Sequence, residues 1–231
     1  MSMIEIQSLS VLHKSKKYIV HPRVELITDC MSNKRGIYEA LCLVMNDDTQ
    51  TCPKQFFDEL SSRETYMIYR HTLDDLKAQT AATILLNVNI NFLESKYVEL
   101  LLSEFGSDNI IWELVESSHL HSIIHIRDRL SEIRKNPRVR IWLDDFGTAR
   151  ANFDVVNVIN FDGIKMSKNL FWDLYENDQT LLKHMIKMMK RKSDKVIIGG
   201  VDNFDKYVFC KTQQCLMQGY FFDEIKNSAV S

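Results

Sequence analysis

Glycine and proline are scarce in this sequence, 7 and 3 among 231 residues, and no Ser/Gly/Pro-rich tract or internal repeat interrupts it. Without linker composition, one unit spanning residues 1–231 is expected, and a barrel of alternating strands and helices suits that length. The five cysteines, Cys30, Cys42, Cys52, Cys210 and Cys215, are an odd number with no CxxC pair. That excludes a disulfide framework and a tetrahedral zinc site, leaving free thiols as the expectation. Charge of neither sign dominates: 29 Lys+Arg face 31 Asp+Glu for a formal −2, without the basic excess that direct nucleic-acid binding requires. No apolar run reaches the roughly 18 residues of a membrane span. The first twenty residues hold no uninterrupted apolar stretch of secretory length, so a cytoplasmic location away from membranes is expected.

What the chain does have is a rhythm. Short apolar runs at Ala82–Val88, Asn109–Leu114, Val139–Leu143, Phe161–Met166 and Lys195–Ile198 read as strands buried on both faces, because their apolarity is nearly continuous. Between them lie helical patterns over Pro53–Lys77, Glu94–Phe105, His125–Lys135 and Asn169–Arg191. Alternation at intervals of about 25–35 residues predicts βαβ units and a parallel sheet, an α/β fold.

The polar residues sit where these strands end. Asn87 closes the first, Glu113 the second, Asp144 and Asp145 the third, and Lys165 the fourth. In a (β/α) barrel such ends converge on one face, where sites are built. Gathered carboxylates repel one another, and a divalent cation is the natural compensation. An all-oxygen set of Asn, Glu and Asp favours Mg²⁺, Mn²⁺ or Ca²⁺ over zinc. Adjacent aspartates can serve two metals about 3.5–4 Å apart for displacement at phosphorus, with a lysine answering the phosphate charge. Taken singly, each has a plainer reading: Asp-Asp-Phe-Gly as a turn, Asn as a backbone cap, Lys as a solvated charge.

Taken together with their neighbours, these residues resemble the EAL family of cyclic-di-GMP phosphodiesterases. Tyr38–Leu41 reads YEAL, LLNVNINFL carries Asn87 with Asn89 in the place of a serine, and WELVES carries Glu113 and Glu116. WLDDFGTA holds Asp144 and Asp145, FDGIKM holds Lys165, and QGYFF holds Gln218. The resemblance implies a TIM-like (β/α) barrel of the EAL type. It implies metal ligation by Glu39, Asn87, Glu113, Asp144 and Asp145, a ligand contact from Gln218, and a role for Glu116 in steadying the loop after the aspartates.

The departures fall on chemistry. The arginine that follows Glu-Ala-Leu in active members is Leu43 here, removing a bidentate phosphate clamp. Glu-Gly-Val-Glu becomes Gly199-Gly200-Val201-Asp202, Lys-Ile-Asp becomes Lys165-Met166-Ser167, and the loop normally Tyr-Ser-Ser is Arg150-Ala151-Asn152. With the acid at Gly199 gone, one Mg²⁺, Mn²⁺ or Ca²⁺ at most is expected, none being required. Loss of phosphodiesterase activity follows from the same substitutions, leaving Lys165 and Gln218 vestigial.

Three functions stay open at this point. A non-enzymatic regulator would bind a protein partner, for which degenerate EAL proteins that capture the flagellar regulator FlhD are the analogy. A cyclic-di-GMP receptor would bind without cleaving, a role that Leu43 argues against. A weak phosphodiesterase is the third. Leu182, Met185, Met188 and Met189 form an apolar stripe beside Lys183, Lys187, Lys190 and Arg191, which packs on the barrel unless it meets a partner. His21, before Pro22, reads as pocket lining or packing.

Overall fold

The computed structural model describes residues 4–29, 36–105, 109–115, 123–137, 139–148 and 153–222. Four strands come first: β1 (Leu9–His13), β2 (Lys16–Ile27), β3 (Ile37–Asn46) and β4 (Thr49–Thr51). Helices α1 (Pro53–Glu59) and α2 (Ser62–Gln79) lead to β5 (Thr83–Val88). Then follow α3 (Ile90–Leu93), α4 (Tyr97–Phe105), β6 (Ile110–Leu114), α5 (Ile123–Ile133), β7 (Arg140–Phe146) and α6 (Phe153–Val158). The chain continues through β8 (Gly163–Met166), α7 (Lys168–Asn177), α8 (Gln179–Lys192), β9 (Lys195–Ile198), α9 (Phe204–Thr212) and β10 (Leu216–Met217).

All these strands belong to one sheet in the order β1-β2-β3-β5-β6-β7-β8-β9-β10, with β4 paired to β3. From β3 to β10 neighbours run parallel, as βαβ alternation demands. β2 runs antiparallel to β3 over the register Tyr18↔Asn46 to Ile27↔Ile37. Just past its end, Thr28 bridges Met217 through reciprocal backbone hydrogen bonds of 2.9 and 3.0 Å. The sheet thereby closes, and β2, β3, β5, β6, β7, β8, β9 and β10 form a TIM-like barrel with one reversed stave.

Two predicted helices are each split. The Pro53–Lys77 pattern breaks at Leu60 and Ser61, where Ser61 and Glu64 form a reciprocal capping box that starts α2 afresh. The Asn169–Arg191 pattern breaks at Asp178, whose side chain accepts from the Leu181 N–H and caps α8. A period of 3.6 carries across a short break, so apolar spacing could not show it. In α8, Leu182, Ile186 and Met189 are buried and Met185 and Met188 are half-buried, so the methionine stripe packs on the barrel.

The barrel interior is built in layers by the two-residue alternation of strands. Ile27, Leu85, Ile111, Trp142, Ile197 and Leu216, with Ile37 against them, form an apolar floor. Gly163 belongs to that level, and a Cβ there would lie 2.6 Å from the Trp142 indole. Gly163→Ala is therefore expected to cost about 1–3 kcal/mol through overpacking, read as a lower urea midpoint with unchanged slope. An unaltered midpoint would show that the indole is not held where the structure puts it.

Candidate active site

Two residues beyond each floor position, toward the C-terminal ends of the strands, the side chains change character. Ile37 is followed by Glu39, Leu85 by Asn87, Ile111 by Glu113, Trp142 by Asp144, Gly163 by Lys165, Ile197 by Gly199 and Leu216 by Gln218. The polar set that was spread over 180 residues of sequence is thus one layer of the barrel, stacked on an apolar one.

Lys165 is its hub. The ammonium lies 3.0 Å from Glu39 Oε2, 3.2 Å from Glu113 Oε2 and 3.5 Å from Asp144 Oδ1. Glu39 also accepts from Asn87 Nδ2 at 2.8 Å and Gln218 Nε2 at 2.5 Å. Behind this layer, the Tyr69 hydroxyl of α2 donates to the Asn87 carbonyl at 2.5 Å and fixes the end of β5.

Three carboxyls facing one ammonium carry an excess of negative charge, and their titration reflects it. Burial pushes the Glu113 carboxyl well above the ordinary glutamate range, with the neighbouring Asp144 adding to the effect and Lys165 opposing it. Asp144 is pushed up to about 6, again chiefly by burial and against the pull of Lys165. Burial also works against the charge on Glu39. There the ammonium and the hydrogen bonds from Asn87, Gln218 and Lys165 outweigh it and hold the carboxyl below its usual value. Lys165, although desolvated, is kept firmly protonated by Glu113, Asp144 and Glu39.

Within this layer Asn87 Oδ1, Glu113 Oε1 and Gln218 Oε1 are buried without a hydrogen-bond partner. Buried oxygens with unused lone pairs, beside surplus negative charge, are what a hard divalent cation satisfies. As the side chains stand, no three His, Cys, Asp or Glu groups among the described residues are disposed to hold a metal, because the ammonium takes the point of convergence. The donor chemistry therefore fits such an ion, on condition that Lys165 Nζ gives way to it.

The remaining expected residues fall elsewhere. Asp145 sits at a shift of register between β7 and β8 with φ of 52° and is exposed, reaching the cluster through its backbone N–H, which donates to the Asp144 carboxyl. With Glu39, Asn87 and Asp144 it lines a cavity of about 290 Å³ that runs from the barrel mouth toward α1 and α2. Asn89 caps α3 by accepting from the Phe92 N–H. Ser167 caps α7 in the same way, by accepting from the Leu170 N–H. Asp202 accepts from Lys206 Nζ at 3.1 Å and is tied into α9 rather than into the acid layer. His21 stands opposite Leu43 on β2, with the Ser8 hydroxyl 2.6 Å from its Nδ1. Glu116, the Arg150–Asn152 loop and Cys30 lie outside the described residues. One acid was missed: Glu25 is the cross-strand partner of Glu39, and finding it required recognising β2 as a strand.

A closed barrel gathers carboxylates, two amides and a lysine at the C-terminal ends of its strands, where sites of this fold are built. The chain belongs to the EAL domain family, whose profile matches residues 20–224. It is 26% identical over 214 residues to the cyclic di-GMP phosphodiesterase TpdA of Vibrio parahaemolyticus, an alignment covering 87% of this chain and 36% of that protein. The chain thus spans about a third of that relative's length. Among solved structures, the Bacillus subtilis YkuI protein, determined with c-di-GMP and calcium, superposes with a TM-score of 0.71 at 17% identity, over 88% of this chain and 55% of that one. The EAL-like domain protein YdiV superposes at 0.70 with 13% identity, over 87% and 90%.

These relatives correct the expectation of a non-enzyme. TpdA and the Escherichia coli protein PdeH, 35% identical over 69 residues (29% of this chain, 27% of that protein), are both named phosphodiesterases. The physical reason the expectation overreached is that Leu43 and Gly199 each delete one contact, whereas Glu39, Asn87, Glu113, Asp144, Lys165 and Gln218 remain gathered.

Lys165→Met leaves the carboxyls without their counter-charge and is expected to cost about 3–5 kcal/mol at neutral pH. Without the ammonium the carboxyl pKa values rise further, so the folded state binds extra protons and the deficit shrinks between pH 8 and pH 5. Chemical denaturation across that range measures it; a deficit independent of pH would mean that the ammonium does not balance these acids.

Proposed function

We propose that the chain is a divalent-cation-dependent phosphodiesterase that opens cyclic-di-GMP to its linear form. The observation that carries this reading is the acid layer with its three unpartnered buried oxygens at the open end of the barrel. Membership of the EAL family supplies the substrate class. One Mg²⁺, Mn²⁺ or Ca²⁺ would be held by Glu39, Asn87, Glu113 and Asp144, with Asp145 at the cavity wall beside them. When bound, such an ion supplies Lewis acidity toward a phosphoryl oxygen. Asn87 and Gln218 hold Glu39 by hydrogen bonds, so this carboxylate stays ionised and oriented. Lys165, displaced from the centre, remains the nearest fixed positive charge for the phosphate.

Gly199 adds no acid to the layer, which points to one seated ion and to a rate below that of sites with a full complement of ligands. A Cβ at Gly199 would meet only the Met166 carbonyl at 3.6 Å, an ordinary contact, so the backbone there accepts a side chain. Gly199→Glu is expected to raise turnover by about tenfold or more. Chromatographic detection of linear product with Mg²⁺ or Mn²⁺ tests the reading. EDTA should abolish product, and Asp144→Asn should lower the rate by about 10²-fold. No turnover by the native chain with either ion would overturn it.

Cation binding should also depend on pH with a defined sign. Asp144 titrates at about 6 and Glu113 above its ordinary range, so protons compete with the ion below that point. The rise in melting temperature on adding Mg²⁺ is expected to be large at pH 7.5 and to fade by pH 5.5. An equal rise at both values would place the ion elsewhere.

A further inference from the structure

We propose that Lys54 is the side chain that receives the second, uncleaved phosphodiester of the ligand, in the cavity it lines together with Glu39, Asn87, Asp144 and Asp145. The inference rests on the reading of this site as one for a cyclic dinucleotide.

A cyclic dinucleotide brings two anionic phosphodiesters into one pocket, and only one of them can sit on the acid layer and its ion. The other must be met by charge elsewhere on the wall. The described lining is acidic, with Glu39, Asp58, Asp144 and Asp145, and Lys54 is its one basic side chain. Lys165 belongs to the acid layer, beside Glu39, Glu113 and Asp144, and so answers the phosphate that sits there rather than the one outside it.

Lys54 is placed to meet that outer phosphate. It is exposed, and among the described residues it enters no ion pair, although Asp58 stands one turn further along the same helix. It occupies the first turn of α1 directly after Pro53, where no acid is present and where the helix dipole disfavours a cation. The helix itself is fixed: Pro53 sets its start, and the buried Phe56 packs with Val11, Val20, Val44 and Ile68 in a separate core. The ammonium is thus presented from a rigid support, which limits the entropy lost on binding. The same cavity has apolar lining from Leu41, Phe57 and Leu86, which suits the body of a nucleobase.

A contact to a part of the ligand that does not react should lower affinity when removed and leave the chemical step intact. Calorimetric titration of cyclic-di-GMP in Ca²⁺, and steady-state kinetics in Mg²⁺, read the two separately. Lys54→Ala is expected to weaken binding and raise KM by about tenfold with kcat within about twofold, the size of one charge-assisted contact. Lys54→Arg should retain most of the affinity, and Lys54→Glu should weaken it beyond Lys54→Ala. Lys187→Ala, which removes the same charge from the exposed face of α8, should change nothing.

An unchanged dissociation constant in Lys54→Ala, or a loss confined to kcat, overturns the assignment while leaving the dinucleotide reading in place. A native chain that takes up the cation, shown by a raised melting temperature, yet binds no cyclic-di-GMP overturns that reading and the assignment with it.

Discussion

Three carboxyls and one ammonium, closed inside a barrel and stacked on hydrocarbon, set the terms for everything at this site. Such a group is costly to desolvate, and the geometry recovers that cost only because Lys165 reaches Glu39, Glu113 and Asp144 together. The arrangement is still short of positive charge. That shortfall explains why Glu113 and Asp144 titrate high while Glu39, with the most hydrogen bonds, titrates low. A cluster of this kind is poised between three ways of reaching balance: a proton, the lysine, or a divalent ion.

The layer beneath makes that cluster possible. Trp142 fills the floor of the barrel because Gly163 opposite it has no side chain, and Leu85, Ile111, Ile197 and Leu216 complete the packing. Strand alternation then lifts the polar residues two positions further along, all at one height. The same rule puts Gly199 in the ring. Its missing side chain is a gap in the acid layer and not a distortion of it, since the neighbouring backbone is undisturbed and has room to spare.

Much of this was legible in the sequence, for reasons that can be named. The central strands showed themselves as β-branched runs, and four of the five ended in a polar residue that a buried strand would not otherwise carry. Asn87, Glu113, Asp144 and Lys165 could be placed on one face from that alone. The motifs around Glu39 and Gln218 added the staves that the runs did not reveal. The N-terminal hairpin was not read as strands, because β2 mixes Lys16, Lys17, Arg23 and Glu25 with its apolar residues as a stave exposed along part of its length does. Glu25 was lost with it. The helix breaks at Ser61 and Asp178 were hidden because caps are local hydrogen bonds, invisible to periodicity. The inference of lost activity failed for a different reason. It counted absent side chains one at a time, whereas the site is a cooperative layer in which most members persist.

The join between Thr28 and Met217 has a consequence for how the molecule comes to exist. These two backbone hydrogen bonds unite residues 189 positions apart, so closure of the ring is a long-range contact. Gln218 follows immediately and donates to Glu39, so the stave that closes the ring also completes the hydrogen-bond shell of that buried carboxylate. The acid layer is therefore completed by a contact of high sequence separation and not by local structure alone.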